Sequence, residues 1–350
     1  MRRSTVVSIE GEDFYINGQP TYAGRQYRGH RVEGLLMNAR MVQATFDDLN
    51  PETRGLWNYP DGAPFDADRN TDAFVAQVPA WCADGLLAVT LNLQGGSPQG
   101  YSREQPWVNT AIREDGSLRP DYMARLGRVL DALDAQGMVA ILGLFYFGQD
   151  ERVRDEAAVC RAVDAVTDWL LENGYGNVLV EIANECDIDT SGNGGSYAYQ
   201  HSILTEKRGG ELIHRVQERS GRRLLVSTSF RGGTVPTPNV AAAADFLLIH
   251  GNSVPTPDAL RERIDAARAV PGYRGQPVVV NEDDHFDFEK DDNHLLAAVE
   301  KRAGWGYFDY RMAGEGFEQG YQSVPTDWGT NSERKRGFFR LLREVTGAGG

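Results

Sequence analysis

The feature that most restricts this chain is an alternation. Eight short runs rich in aliphatic and β-branched residues, at 35–45, 86–93, 139–146, 178–182, 224–228, 246–250, 278–280 and 306–310, are separated by segments of helical character. Runs that stay apolar on successive residues suit strands covered on both faces, as in a parallel sheet enclosed by helices. The segments at 71–83, 119–136, 156–171, 209–218, 257–267 and 294–303 place apolar residues three and four apart, as Leu126, Val129, Leu130 and Leu133 do. For the first of these helices, Asn70 or Thr71 is the expected cap. Strand–helix alternation of this length predicts an α/β fold of the (β/α)8 TIM-barrel type rather than an open sheet. A chain of 350 residues suffices for one such barrel, and no Pro- or Ser-rich linker divides it. One catalytic domain over 1–350 is therefore expected. Residues 1–30 supply a short N-terminal β-hairpin and lead-in segment, with turns at Glu10-Gly11-Glu12 and Asn17-Gly18, capping the bottom of the barrel.

Composition narrows the partners. A hydrophobic fraction of 41% with 10% aromatics is ample for a large core. The formal net charge of −14 argues against a nucleic-acid or anionic-membrane partner, since either needs a basic face. Cys82, Cys160 and Cys186 have neither disulfide-framework nor zinc spacing, a usage that fits a reducing compartment. The N-terminus lacks an apolar segment of signal-peptide length and no run approaches a membrane span, so a cytoplasmic location is expected. The glycine-rich stretches at 95–96, 192–195 and 232–233 lack P-loop or dinucleotide spacing, so no nucleotide cofactor is expected.

Two of the strand-like runs stop at a glutamate: the fourth ends in Asn184-Glu185 and the seventh in Asn281-Glu282. Barrel enzymes keep their chemistry at the C-terminal ends of strands. Carboxylates on strands four and seven face one another across the barrel mouth, and such a pair is the minimum equipment for glycosidic bond cleavage. Glu282 opens a dense cluster, Glu282-Asp283-Asp284-His285. It reads as a nucleophile among carboxylates, as a hard-cation site, or as a charged loop. Successive strand residues alternate faces, which separates Glu282 from Asp283 and disfavours a metal. His285 either orients Glu282 or caps a loop.

With these residues in place, the chain resembles the clan A glycoside hydrolases, especially the cellulase-like barrel enzymes of family 5. The resemblance implies Glu185 as general acid/base, Glu282 as nucleophile, Asn184 on the sugar 2-hydroxyl, and no cofactor. It also implies a histidine near the end of strand six, supplied by His250. An aromatic floor near strand eight falls to Trp305, Tyr307 or Tyr310. There are departures. Strand two ends in Asn92 and Gln94 rather than an arginine, leaving Arg40 after strand one, or Arg103 further on, to serve. Strand three ends in Tyr146 where family 5 often has histidine. Asp309 stands either as a ligand for a sugar hydroxyl or as an ion-pair partner of Arg311. Loop aromatics at Trp57, Tyr59, Tyr101, Trp107, Trp305 and Trp328 offer platforms for sugar rings, whereas Trp81 and Trp169 sit in helical patterns as core. The reading is a retaining glycoside hydrolase acting on a β-linked carbohydrate. Its rivals are a divalent-metal barrel using Glu185, His250, Glu282 and Asp284, and a carbohydrate-binding barrel without turnover.

Overall fold

The computed structural model describes residues 3–102, 104–188 and 198–349. Arg103 and the glycine-rich stretch 192–195 named above lie outside these residues. The barrel strands, in chain order, are Asn38–Arg40, Ala88–Asn92, Val139–Phe145, Val178–Ala183, a fifth in two pieces (Leu225–Ser227 and Ser229–Phe230), Leu247–His250, Val278–Asp283 and Ala303–Tyr307. All neighbours run parallel, and the eighth strand pairs with the first. The ring passes through strand five: its first piece bonds to strand four and its second to strand six. Eight helices follow the eight strands: Ala67–Ala83, Pro120–Ala135, Glu156–Glu172, Gly209–Arg219, Pro238–Ala243, Pro257–Arg268, His294–Glu300 and Glu333–Thr346. The (β/α)8 architecture is thus the one the alternation predicts.

Local chemistry sets the helix starts. Asp155, Thr256, Asn293 and Ser332 each accept a backbone N–H of the first turn, and proline opens three helices where its missing donor does no harm. The first helix begins at Ala67, not at 71, because Asp66 accepts the N–H groups of Asp68 and Arg69 and is the cap in place of Asn70 or Thr71. The seventh helix stops at Glu300, so Ala303 belongs to the eighth strand, which ends at Tyr307 instead of continuing to 310. The misplacement has a steric origin. Gly304 lies against the first strand's approach so closely that a Cβ there would sit 2.3 Å from the Leu36 carbonyl oxygen. Glycine in this strand marks a close backbone approach rather than a break.

Two apolar shells hold the barrel. One fills the space between sheet and helices. The other plugs the barrel's lower interior with Leu36, Val139, Ile141, Leu179, Phe246, Leu248 and Val279, joined by Val7 and Phe14 of the hairpin. The hairpin strands Val7–Glu10 and Asp13–Ile16 pair antiparallel, and the ring of Phe14 meets Phe246 edge-on, which closes the bottom. Burying a side chain the size of Phe14 is worth about 2–3 kcal/mol. Among the described residues, no helix is long and apolar enough to cross a membrane.

Candidate active site

Above the apolar plug the barrel interior turns polar. Asn38, Thr90, Asn92, Glu181, Ser227 and Asn281 are all buried there. Over them, at the C-terminal mouth, lies a pocket of about 180 Å³. Glu185 and Glu282 both line it, together with Arg40 and Tyr146.

The two glutamates share a histidine. His250, wholly buried at the end of strand six, places Nδ1 2.9 Å from Glu185 Oε1 and 3.6 Å from Glu282 Oε2. One carboxylate oxygen of each glutamate and this nitrogen all lie within 4.8 Å of one another. Burial disfavours a charged imidazole, but Glu282 and Glu185 outweigh it and hold His250 above its ordinary pKa. Arg40, also buried, sits with Nε 2.8 Å from Glu282 Oε2 and donates from its Nη2 to Asn184 Oδ1 at 3.1 Å. Glu282 Oε1 accepts from Asn252 Nδ2 at 2.7 Å.

Glu185 is held in an unusual backbone state. Its φ is 50°, the left-handed region that a residue with a side chain enters at a cost of about 1–3 kcal/mol. Ser229 secures it: the Ser229 hydroxyl accepts the Glu185 N–H at 2.8 Å and its carbonyl accepts the Cys186 N–H at 2.9 Å. The break in strand five therefore places Ser229 where it can turn the Glu185 side chain into the pocket.

Asp283 points the other way, as strand alternation requires. Its carboxylate, fully buried, takes His285 Nδ1 at 2.6 Å, His294 Nδ1 at 2.8 Å and Trp305 Nε1 at 2.9 Å. Burial pushes this carboxyl up, but the two histidines prevail and hold it below the usual carboxylate range. His285 thus serves Asp283 and neither orients Glu282 nor caps a loop. The ligand atoms of Asp283, His285 and His294 are close enough for an ion, yet the Trp305 N–H occupies one of the oxygens that would bind it. Asp284 accepts from the Tyr101 hydroxyl at 3.0 Å, and Tyr101 in turn accepts from Asn252. Tyr101, half exposed, reaches from the loop after strand two across the mouth and packs edge-on against Phe308 and Tyr310.

Other residues anticipated for the site are placed elsewhere. Trp305, Tyr307 and Asp309 are fully buried and do not line the pocket. Trp305 meets Phe288 and Phe338, and Tyr307 stacks on Phe338 while donating to Asp309 at 2.6 Å. Asp309 pairs with Arg334 rather than Arg311. The eighth strand ends earlier than expected, so the aromatic it presents to the pocket is Phe308. Asn92 is buried beneath the pocket, and Gln94 is spent on Thr110, the Gln149 carbonyl and the Tyr146 N–H. Trp57, Trp107 and Trp328 are buried core and offer no open platform. Cys186 is buried and does not line the pocket, and burial pushes its thiol far up. Sequence reasoning did not single out Glu181, Asn252, Arg231 or Phe308. Glu181 had a signal: in alternation it shares the interior face of strand four with Leu179.

No protein-family model and no curated protein matches the chain. Solved structures do match. A family 5 mannosidase from Rhizomucor miehei superposes with a TM-score of 0.57 at 11% identity, covering 99% of this chain and 98% of that one. A family 5 glycoside hydrolase from Bacteroides vulgatus gives 0.58 at 12%, covering 96% and 70%. A β-glucosidase from Thermotoga maritima gives 0.54 at 10%, covering 90% and 99%. The chain shares the (β/α)8 barrel architecture of these glycoside hydrolases. Identities this low establish the architecture and leave the chemistry to be argued from the pocket.

Proposed function

We propose that the protein is a retaining glycoside hydrolase acting on a β-linked sugar, with Glu185 as general acid/base and Glu282 as nucleophile. The observation that carries this reading is the approach of the two carboxylates, within 4.8 Å oxygen to oxygen, at the ends of strands four and seven. Retaining enzymes hold their carboxyl groups about 5–5.5 Å apart, whereas inverting ones leave about 6.5–9.5 Å for a water. In the first step a Glu282 oxygen attacks the anomeric carbon while Glu185 gives its proton to the departing glycosidic oxygen. In the second, Glu185 takes a proton from water as that water's oxygen attacks the same carbon, which releases Glu282. Arg40 supplies positive charge beside the nucleophile, and its bond to Asn184 Oδ1 leaves the Asn184 amide N–H groups for a sugar hydroxyl. The neighbours named above include a mannosidase and a β-glucosidase, and a second mannosidase structure holds mannosyl-fructose, which agrees with a carbohydrate substrate.

The metal reading draws on the same His250 triad. It requires a cation beside the Arg40 guanidinium, at a carboxylate whose other oxygen already accepts from Asn252. Like charges at that range oppose each other strongly in a buried site, so the glycosidase reading is the better supported. The test is intact-protein mass spectrometry after incubation with activated 2-deoxy-2-fluoro glycosides of several sugar configurations. A mass increment mapping to Glu282, absent in Glu282→Ala, is the expected result. Turnover that a chelator abolishes, without any labelling, would overturn it.

A further inference from the structure

Arg231 stands out among the groups the mechanism leaves unused. It follows directly on Phe230, which ends strand five, and it lines the same pocket as Glu185. Its backbone is locked. The Arg231 N–H donates to Asp187 Oδ1 at 2.9 Å, and a Cβ on the next residue, Gly232, would lie 1.6 Å from the Asn252 carbonyl oxygen. The guanidinium, by contrast, is nearly unspent. It makes no side-chain hydrogen bond among the described residues, and its single ionic contact is Nε to Asp187 Oδ2 at 3.5 Å. Asp187 is itself engaged, taking the Arg231 N–H on one oxygen and the Thr234 hydroxyl at 2.6 Å on the other. The contrast with Arg40, committed to Glu282 and Asn184, is direct. An arginine fork with free donors in a pocket matches a planar or tetrahedral anion.

Position says which part of the substrate carries that anion. Strand five is the neighbour of strand four, whose Glu185 faces the leaving oxygen if the acid/base assignment above holds. Tyr101 and Phe308 belong to other walls of the pocket, beside strands seven and eight. We infer that Arg231 forms a leaving-group subsite for an anionic aglycone, a carboxylate or a phosphate or sulfate ester. This rests on the proposed glycosidase reading.

The experiment compares kcat/KM for 4-carboxyphenyl and 4-carbamoylphenyl β-glycosides of the sugar that labels the enzyme. The wild-type protein, Arg231→Gln and Arg231→Lys are assayed side by side. A charge-assisted pair of this kind is worth roughly tenfold or more in kcat/KM. The expected result is a carboxylate-over-amide ratio about tenfold higher in the wild type than in Arg231→Gln, with Arg231→Lys between them. Comparing ratios between proteins removes the intrinsic difference in leaving-group ability and any general loss of activity in a variant. Equal ratios in wild type and Arg231→Gln would overturn the subsite while leaving the glycosidase intact. Cleavage of neither glycoside by folded wild-type protein would remove the glycosidase reading, and the subsite with it.

Discussion

Glu282 and Asp283 are adjacent carboxylates with opposite duties, so replacing each by its amide should separate the duties. Asp283→Asn is the informative change. The native carboxylate accepts four hydrogen bonds: His294 Nδ1 and Trp305 Nε1 on Oδ2, and the ring Nδ1 and backbone N–H of His285 on Oδ1. An amide offers one acceptor oxygen. With that oxygen in the Oδ2 position, the new NH2 faces both His285 donors: the ring must turn to its other tautomer or lose the contact, and the backbone N–H loses its acceptor. The two surviving bonds fall from charge-assisted to neutral, a loss of about 1 kcal/mol each. The two His285 bonds on Oδ1 add about 1 kcal/mol more between them, because the ring can turn and the backbone N–H bond is long at 3.2 Å. A destabilisation of about 3 kcal/mol at pH 7 follows. The loss depends on pH with a defined sign. Asp283 is held below the usual carboxylate range, so its ionised form stabilises the fold above about pH 4, its unfolded value, and that stability is lost as pH falls through the folded pKa. The assay is urea denaturation at pH 7, followed by tryptophan fluorescence and far-UV circular dichroism, with coincident transitions as the condition for a single free energy. Glu282→Gln should abolish turnover in a steady-state activity assay while its far-UV circular dichroism shows the protein still folded. An Asp283→Asn protein within about 0.5 kcal/mol of wild type would refute the account of this carboxylate as the anchor of Trp305 and both histidines.

The remaining expectations concern residues placed away from the chemistry. Trp305→Phe removes one donor to Asp283 and part of a buried ring, and should cost about 2–3 kcal/mol while leaving KM within about twofold. A raised KM with unchanged stability would return Trp305 to the sugar site. Asp150 is buried under two backbone N–H groups, from Gln200 and His201, and burial pushes its carboxyl up to about 6. A raised carboxyl stabilises the fold below its unfolded value near pH 4 and loses that contribution as pH climbs through about 6. Asp150→Asn keeps an acceptor for the N–H groups without the charge. Its unfolding free energy should therefore exceed the wild type's at pH 8, by a margin on the order of 2 kcal/mol that shrinks towards pH 5. A margin that stays constant between those two values contradicts the burial argument.

The barrel and its two strand-end glutamates were legible in the linear chain because both are local patterns. A strand buried on two faces must be apolar residue after residue, and a carboxylate that interrupts such a run must stand at its end. Helix caps and the hairpin turns are local in the same way, and the capping error at the first helix shifted only a boundary, but the helices Pro238–Ala243 and Glu333–Thr346 fall outside the six segments read as helical. Which residues meet was settled only by the closed ring. The eighth strand begins three residues before its apolar signal because Gly304 is pressed on Leu36, a neighbour more than two hundred residues away in sequence. That displacement sends Trp305, Tyr307 and Asp309 into the core and Phe308 to the pocket. Arg231, Asn252 and Tyr101 converge from strands five, six and two, at separations no periodicity encodes. The Ser229 grip on Glu185 likewise exists only once strand five has broken beside strand four. Sequence specifies which face a strand buries; register and closure, which depend on contacts between distant strands, decide what each exposed end can touch.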